Sequence, residues 1–273
     1  MMKSNRIVDA VMYLVVFLLI QFVMTYLVYV GWQAVNGHEI GKSLQLVAQG
    51  KASISGTMLI VIQAASSLTS LILFLLLKWS VISRSYLRSK PFGVLFWSAV
   101  LAFGTIIPSE VFLELFPLPD HGSDMMRDVM ENRWGYLAIC IFAPLVEELV
   151  FRGAILRALL DTRMSRWVAI AISAAIFALA HFNPAQMPHA LCMGLLLGWM
   201  YERTMSIIPG IMLHWVNNTV AFVVFRLFPQ YSDAKLLDLL GGDHIKVAMA
   251  LLFSLLILLP AIFQLHLRMK RAE

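Results

Sequence analysis

Glu147 and Glu148 stand side by side in an apolar stretch, Pro144-Leu145-Val146-Glu147-Glu148-Leu149-Val150-Phe151-Arg152-Gly153. Placing a charged residue at the centre of a membrane helix costs about 2.5–3.5 kcal/mol, so the exceptions to apolarity point to function. Glu148 and Arg152 are four apart, which on a helix puts them on one face and allows an ion pair. Glu147 is turned by about 100° from its neighbour on a 3.6-residue helix and does not share that arginine in the same way. The spacing therefore predicts a division of labour. Glu148 is held charged by Arg152, while Glu147 is left in apolar surroundings, where lost solvation favours the neutral acid. A carboxyl tuned toward neutrality suits a general base. Pro144 removes one helical hydrogen bond just ahead of the pair and is expected to open the backbone there. A buried charge network that only locks helices together is the competing reading.

Two further apolar segments present polar groups at helical spacing. Phe177 and His181 share one face of their segment, as do His214 and Asn218 of theirs. Each histidine alone is more often a packing residue. Three helices bringing Glu, His, and His with Asn supply a base, an imidazole to orient water, and neutral donors for an oxyanion. His189 borders a short apolar segment, where packing is its commoner role, and Asn217 faces about 100° away from Asn218. Gly194 and Gly198 form a GxxxG, which predicts close helix packing. Cys140 and Cys192 have neither metal-site nor disulfide spacing and read as buried free thiols.

The elements that carry these residues must lie in lipid. Of the 273 residues, 60% are hydrophobic and 14% charged, against about 45–50% and about 25% in soluble domains. The net charge of +5 is spread in short groups between apolar runs, which is a topology signal and not a nucleic-acid-binding patch. Apolar segments fall near 8–33, 54–77, 91–113, 134–157, 167–182, 188–201, 207–228 and 247–267. They predict an all-α polytopic membrane bundle of about eight transmembrane helices. The segment near 188–201 is the shortest and has a re-entrant alternative.

With both termini cytoplasmic, the inner segments hold Lys3, Arg6, Lys78, Arg84, Arg88, Lys90, Arg157, Arg163, Arg166, Arg203, Arg268, Lys270 and Arg271. The outer segments hold Lys42, Lys51, Arg127, Arg133, Arg226, Lys235 and Lys246. That asymmetry satisfies the positive-inside rule. Acidic residues between Glu110 and Glu131 and from Asp233 to Asp243 fall outside. The first apolar run is too long for a signal peptide and is expected to be retained. Three parts follow: 1–133, a three-helix membrane segment with a polar loop; 134–228, the helices with ionisable groups; and 229–273, a loop and last helix.

The motifs EExxxRG (Glu147, Glu148, Arg152, Gly153), FxxxH (Phe177, His181) and HxxxN (His214, Asn218), in this order, resemble the CPBP family. That family joins type II CAAX prenyl proteases with abortive-infection and bacteriocin-processing or immunity proteins. The resemblance covers roughly residues 134–225. It implies an eight-helix intramembrane endopeptidase with its cavity open toward the cytoplasm, and the small outer loops suggest a compact bacterial form in an inner membrane. By carry-over, Glu147 with His181 would activate water, His214 and Asn218 would stabilise the oxyanion, and Glu148, Arg152 and Phe177 would position the site. The family is often labelled metalloprotease. A divalent metal such as zinc, if present, would sit on Glu147, His181 and His214, whereas a metal-free glutamate mechanism fits the same residues. The implied partners are membrane lipid and a membrane-associated peptide or protein substrate, with no nucleic acid. A non-catalytic immunity protein that binds a peptide is the alternative, and a proton-coupled carrier a third.

Overall fold

A computed structural model describes residues 5–49, 51–231 and 234–271. Lys3 and Asp233, used in the charge pattern above, lie outside the described residues. Among the described residues every regular element is helical. The helices are α1 (Arg6–Val35), α2 (Ile40–Ala48), α3 (Gly56–Leu76), α4 (Arg84–Arg88), α5 (Phe92–Leu115) and α6 (Ser123–Glu131). There follow α7 (135–160), α8 (Arg166–Leu179), α9 (Met187–Thr204), α10 (Ile208–Leu227), α11 (Leu236–Leu239) and α12 (His244–Arg268).

Five of these, α1, α3, α5, α10 and α12, are long and apolar enough to cross a membrane by length and composition. The other three expected segments form α7, α8 and α9. The segment near 188–201 is one continuous helix of 18 residues, and α8 is shorter, at 14 residues.

The helices are dressed for lipid. Large apolar side chains point outward in helical registers, including Val8, Val11, Val15 and Leu19 on α1 and Leu252, Leu256, Leu259 and Phe263 on α12. Small polar side chains point inward: Ser66, Ser67 and Ser70 of α3 are fully buried. A water-soluble helix shows the reverse pattern, with its polar face outward. Cys140 is buried as expected, but Cys192 is exposed on α9. Cys192 lies on the outward face of α9, while Met193, Leu197 and Met200 of the same helix are in the core.

Two buried clusters hold the bundle together. One joins α1 and α3 to α7, α8 and α9 through Tyr13, Phe17, Phe74, Phe151, Phe177 and Tyr201. The other joins α5 and α12 to α9 and α10 through Leu101, Ala102, Leu197, Leu213, Ala261 and Leu265. Both therefore cross the boundary at residue 133.

Close approach depends on glycine at several places, two of which bring neighbouring helices together. A Cβ on Gly104 of α5 would lie 2.8 Å from the Leu258 Cα of α12. A Cβ on Gly194 of α9 would lie 2.9 Å from the Ala174 Cα of α8. The GxxxG thus serves the α8–α9 contact, as small residues do in membrane helix pairs.

Gly104→Ala should cost about 1–3 kcal/mol, because backbone and not a flexible side chain must move. Gly31→Ala, where a Cβ meets nothing within 4 Å, should be neutral or stabilising. Thermal unfolding of the two variants in detergent checks the contrast, and equal effects would contradict the α5–α12 contact.

Candidate active site

The carboxylate pair sits midway along α7, and α7 is not a plain α-helix. Leu137–Phe142 and Glu148–Leu156 are π-helical, flanking the α-helical turns Ala143–Glu147, and Arg157–Leu160 ends the run as α-helix. A π segment bonds i→i+5, is rare, and collects at functional sites. The 100° rotation expected from a 3.6-residue helix therefore does not carry over to residues 148–156.

Pro144 has a traceable effect at the join. The Ala143 N–H reaches back to the Ala138 carbonyl. The next bond in that i→i+5 series would run from residue 144 to Ile139, and proline has no N–H to give. The Ile139 carbonyl instead accepts from Asn218 Nδ2 of α10 at 3.0 Å. A buried carbonyl needs a partner, so the proline in one motif segment and the asparagine in another are two halves of one contact.

Glu148 and Arg152 form the expected ion pair. Arg152 Nη1 donates to Glu148 Oε1 at 3.0 Å, and both side chains are buried. Arg152 Nη2 reaches the Gly194 carbonyl at 3.5 Å, and its guanidinium carbon lies 4.2 Å from the Phe177 ring centroid. Phe177 also meets the His181 ring edge-on at 4.9 Å and the His214 ring at 6.0 Å. One buried phenyl ring thus supports an arginine and both motif histidines, a positioning role that helical spacing showed only for His181.

His214 lies between the two carboxylates. Its Nδ1 is 3.2 Å from Glu148 Oε1 and its Nε2 is 3.8 Å from Glu147 Oε2. A carboxylate only accepts, so Nδ1 donates to Glu148 and the ring is held with Nε2 facing Glu147. The Glu147 side chain retains 20% exposure, whereas that of Glu148 retains 0%. Of the pair, Glu147 is the one that solvent or a substrate can reach. Gly210, which the sequence reading passed over, makes room for its neighbour: a Cβ there would lie 2.7 Å from Glu148 Oε2.

His181 sits just past the end of α8, where Phe182 takes a left-handed φ of 52° and ends the helix. Its Nδ1 donates to the Phe177 carbonyl at 2.9 Å, which leaves Nε2 as the acceptor nitrogen. No hydrogen bond or ion pair joins His181 to Glu147 among the described residues.

A second polar chain runs alongside. Ser109 Oγ of α5 accepts from His189 Nδ1 of α9 at 3.0 Å, and Asn217 Nδ2 of α10 meets His189 Nε2 at 3.4 Å. Asn217 Nδ2 also donates to Asn218 Oδ1 at 3.3 Å. Ser109 carried no sequence signal, being one serine near a helix end.

The residues do not fit a metal site as arranged. Among the described residues no three His, Cys, Asp or Glu side chains converge as a cation site. His214 turns one nitrogen to each carboxylate, and His181 is not drawn into a triad with Glu147 and His214.

If Asn218 caps the carbonyl that Pro144 leaves free, the two positions must be energetically coupled. Asn218→Ala should destabilise the protein by about 1 kcal/mol. The loss should be smaller when Pro144→Ala restores an N–H for Ile139. A double-mutant cycle by thermal unfolding measures the coupling, and strictly additive effects would refute the contact.

Comparison with known proteins adds one match. No curated protein and no solved structure matches the chain. The family model described as Type II CAAX prenyl endopeptidase Rce1-like matches residues 130–220, about a third of the chain, which spans all three motifs. This match to a protease family supports the resemblance of the motif-bearing segment to the CPBP family.

Proposed function

We propose that this protein is an intramembrane endopeptidase in which Glu147 activates a water molecule against a peptide bond. The observation that carries the reading is the pairing of one sealed carboxylate with one accessible carboxylate on either side of His214. Glu148 is sealed, with Oε1 bound to Arg152 and His214, so substrate water does not reach it, whereas Glu147 is part-exposed.

The chemistry needs no group beyond these side chains. Water, deprotonated by Glu147, adds to the carbonyl carbon, and the carbonyl π pair moves onto oxygen. When His214 carries both protons, the two carboxylates, one guanidinium and one imidazolium sum to zero charge, which suits an apolar interior. In that state Nε2–H is a donor for the oxyanion. The second N–H of the Asn218 amide is another, since the first is used on Ile139. The intermediate collapses as the C–N bond breaks and Glu147 passes its proton to the leaving amine. His181, with Nδ1 held by the Phe177 carbonyl, offers Nε2 to orient the water. Arg152, Phe177 and Gly210 act through Glu148 and His214 and are positioning residues.

The proposed setting is a bacterial inner membrane with eight spans and a membrane-associated peptide or protein as substrate. The matched protease family supports a peptide or protein substrate, and the apolar helices support a multi-pass membrane setting.

Glu147→Gln should lower peptide cleavage by purified protein about 10²–10⁴-fold, the usual worth of a general base, while the variant still inserts in the membrane. His214→Ala should do likewise. Full cleavage by both variants would reject the enzyme assignment. Unimpaired protection of cells from a bacteriocin by Glu147→Gln would favour a binding role over catalysis.

A further inference from the structure

Asn218 serves the proposed reaction only if its amide nitrogen, and not its oxygen, faces the reacting carbonyl. The two ends of a carboxamide are alike in shape but opposite in role, one donating and the other accepting. Something must therefore hold the amide the right way round. On one side the Ile139 carbonyl of α7 accepts from Asn218 Nδ2 at 3.0 Å. On the other, Asn217 Nδ2 donates to Asn218 Oδ1 at 3.3 Å.

Asn217 faces the same choice of orientation, and His189 of α9 settles it. Asn217 Nδ2 lies 3.4 Å from His189 Nε2, and His189 Nδ1 lies 3.0 Å from Ser109 Oγ of α5. A neutral imidazole has one donor and one acceptor nitrogen. With the proton on Nδ1 and given to Ser109, Nε2 accepts one Asn217 N–H and Asn218 Oδ1 accepts the other. Every donor then meets an acceptor.

With the proton on Nε2 instead, two donors face each other. Turning Asn217 over relieves that contact but sets its oxygen against Asn218 Oδ1. Turning Asn218 over as well sets Oδ1 against the Ile139 carbonyl, and an acceptor replaces the donor that the oxyanion needs. A single arrangement is thus free of like-on-like contacts. Ser109, His189, Asn217 and Asn218 are all half-buried, so hydrogen bonds and not tight packing decide which way each amide turns.

From this hydrogen-bond chain we infer that His189 is a positioning residue for the proposed hydrolysis. Acting through Asn217, it keeps the Asn218 amide nitrogen toward the oxyanion. A histidine that only packs needs no polar partner on both ring nitrogens. The inference rests on the proposed oxyanion role of Asn218, whereas the hydrogen-bond chain stands on the contacts alone.

His189→Gln and His189→Met separate this role from packing. Both side chains are unbranched and similar in length, but the glutamine oxygen accepts the Asn217 N–H and a thioether sulfur accepts weakly. An oxyanion donor acts as charge develops, so misorienting it lowers kcat and leaves KM. His189→Gln should turn over peptide at least about tenfold faster than His189→Met at equal KM, part of the roughly 10²–10³-fold that loss of an oxyanion donor costs. In an Asn218→Ala background the two should cleave at equal rates, because the donor they orient is gone. Equal kcat for the two variants with Asn218 in place would overturn the inference, as would a gap that persists without it. Thermal unfolding reads the hydrogen-bond chain without catalysis. His189→Met and Asn217→Leu should shift the midpoint non-additively, and strictly additive shifts would overturn the chain. Full cleavage by Glu147→Gln would reject the enzyme reading and leave the unfolding result to decide the chain.

Discussion

A carboxylate and a guanidinium, Glu148 and Arg152, are buried together, and much of the site exists to satisfy them. An ion pair taken out of water returns its desolvation cost only when its remaining donors and acceptors are also met, and removing one partner typically costs about 3–5 kcal/mol. Here Arg152 spends its charge on Glu148, on the Gly194 carbonyl and on the face of Phe177. Glu148 Oε1 meets Arg152 and His214, while its Oε2, beside Gly210, and Arg152 Nε have no hydrogen-bond partner among the described residues. Four helices are thus tied to one pair. The imidazole orientation that leaves Nε2 toward Glu147 follows from that arrangement.

The backbone of α7 is the second constraint. Its π segments change which residues face one another, and Pro144 prevents the i→i+5 ladder from closing at Ile139. The resulting free carbonyl is bound by Asn218. A proline at this point therefore fixes where α10 docks. It also aligns Asn217 with the His189–Ser109 chain. Local irregularity in one helix sets the register of its neighbour.

Lipid explains the remainder. Because the exterior is apolar, hydrophobicity does not tell a buried position from an exposed one, as Cys192 shows. Burial is instead marked by small and polar residues: the serines of α3, and Gly104 and Gly194 at helix contacts.

The sequence alone determined the apolar segments, the positions of the three motifs and the adjacency of Glu148 to Arg152. Each is a matter of composition or of residues within one turn, where chain geometry leaves little choice. Tertiary structure decided which imidazole meets which carboxylate, and the chain of Ser109, His189 and Asn217. It also decided the partner of Asn218 and the need for glycine at 210. Those contacts join residues 28 to 80 positions apart. They depend on helix register, and α7 departs from the 3.6-residue period on which any reading of faces from sequence relies. The pair of glutamates marks a place in the chain, and the fold assigns one of them to Arg152 and His214 and leaves the other accessible.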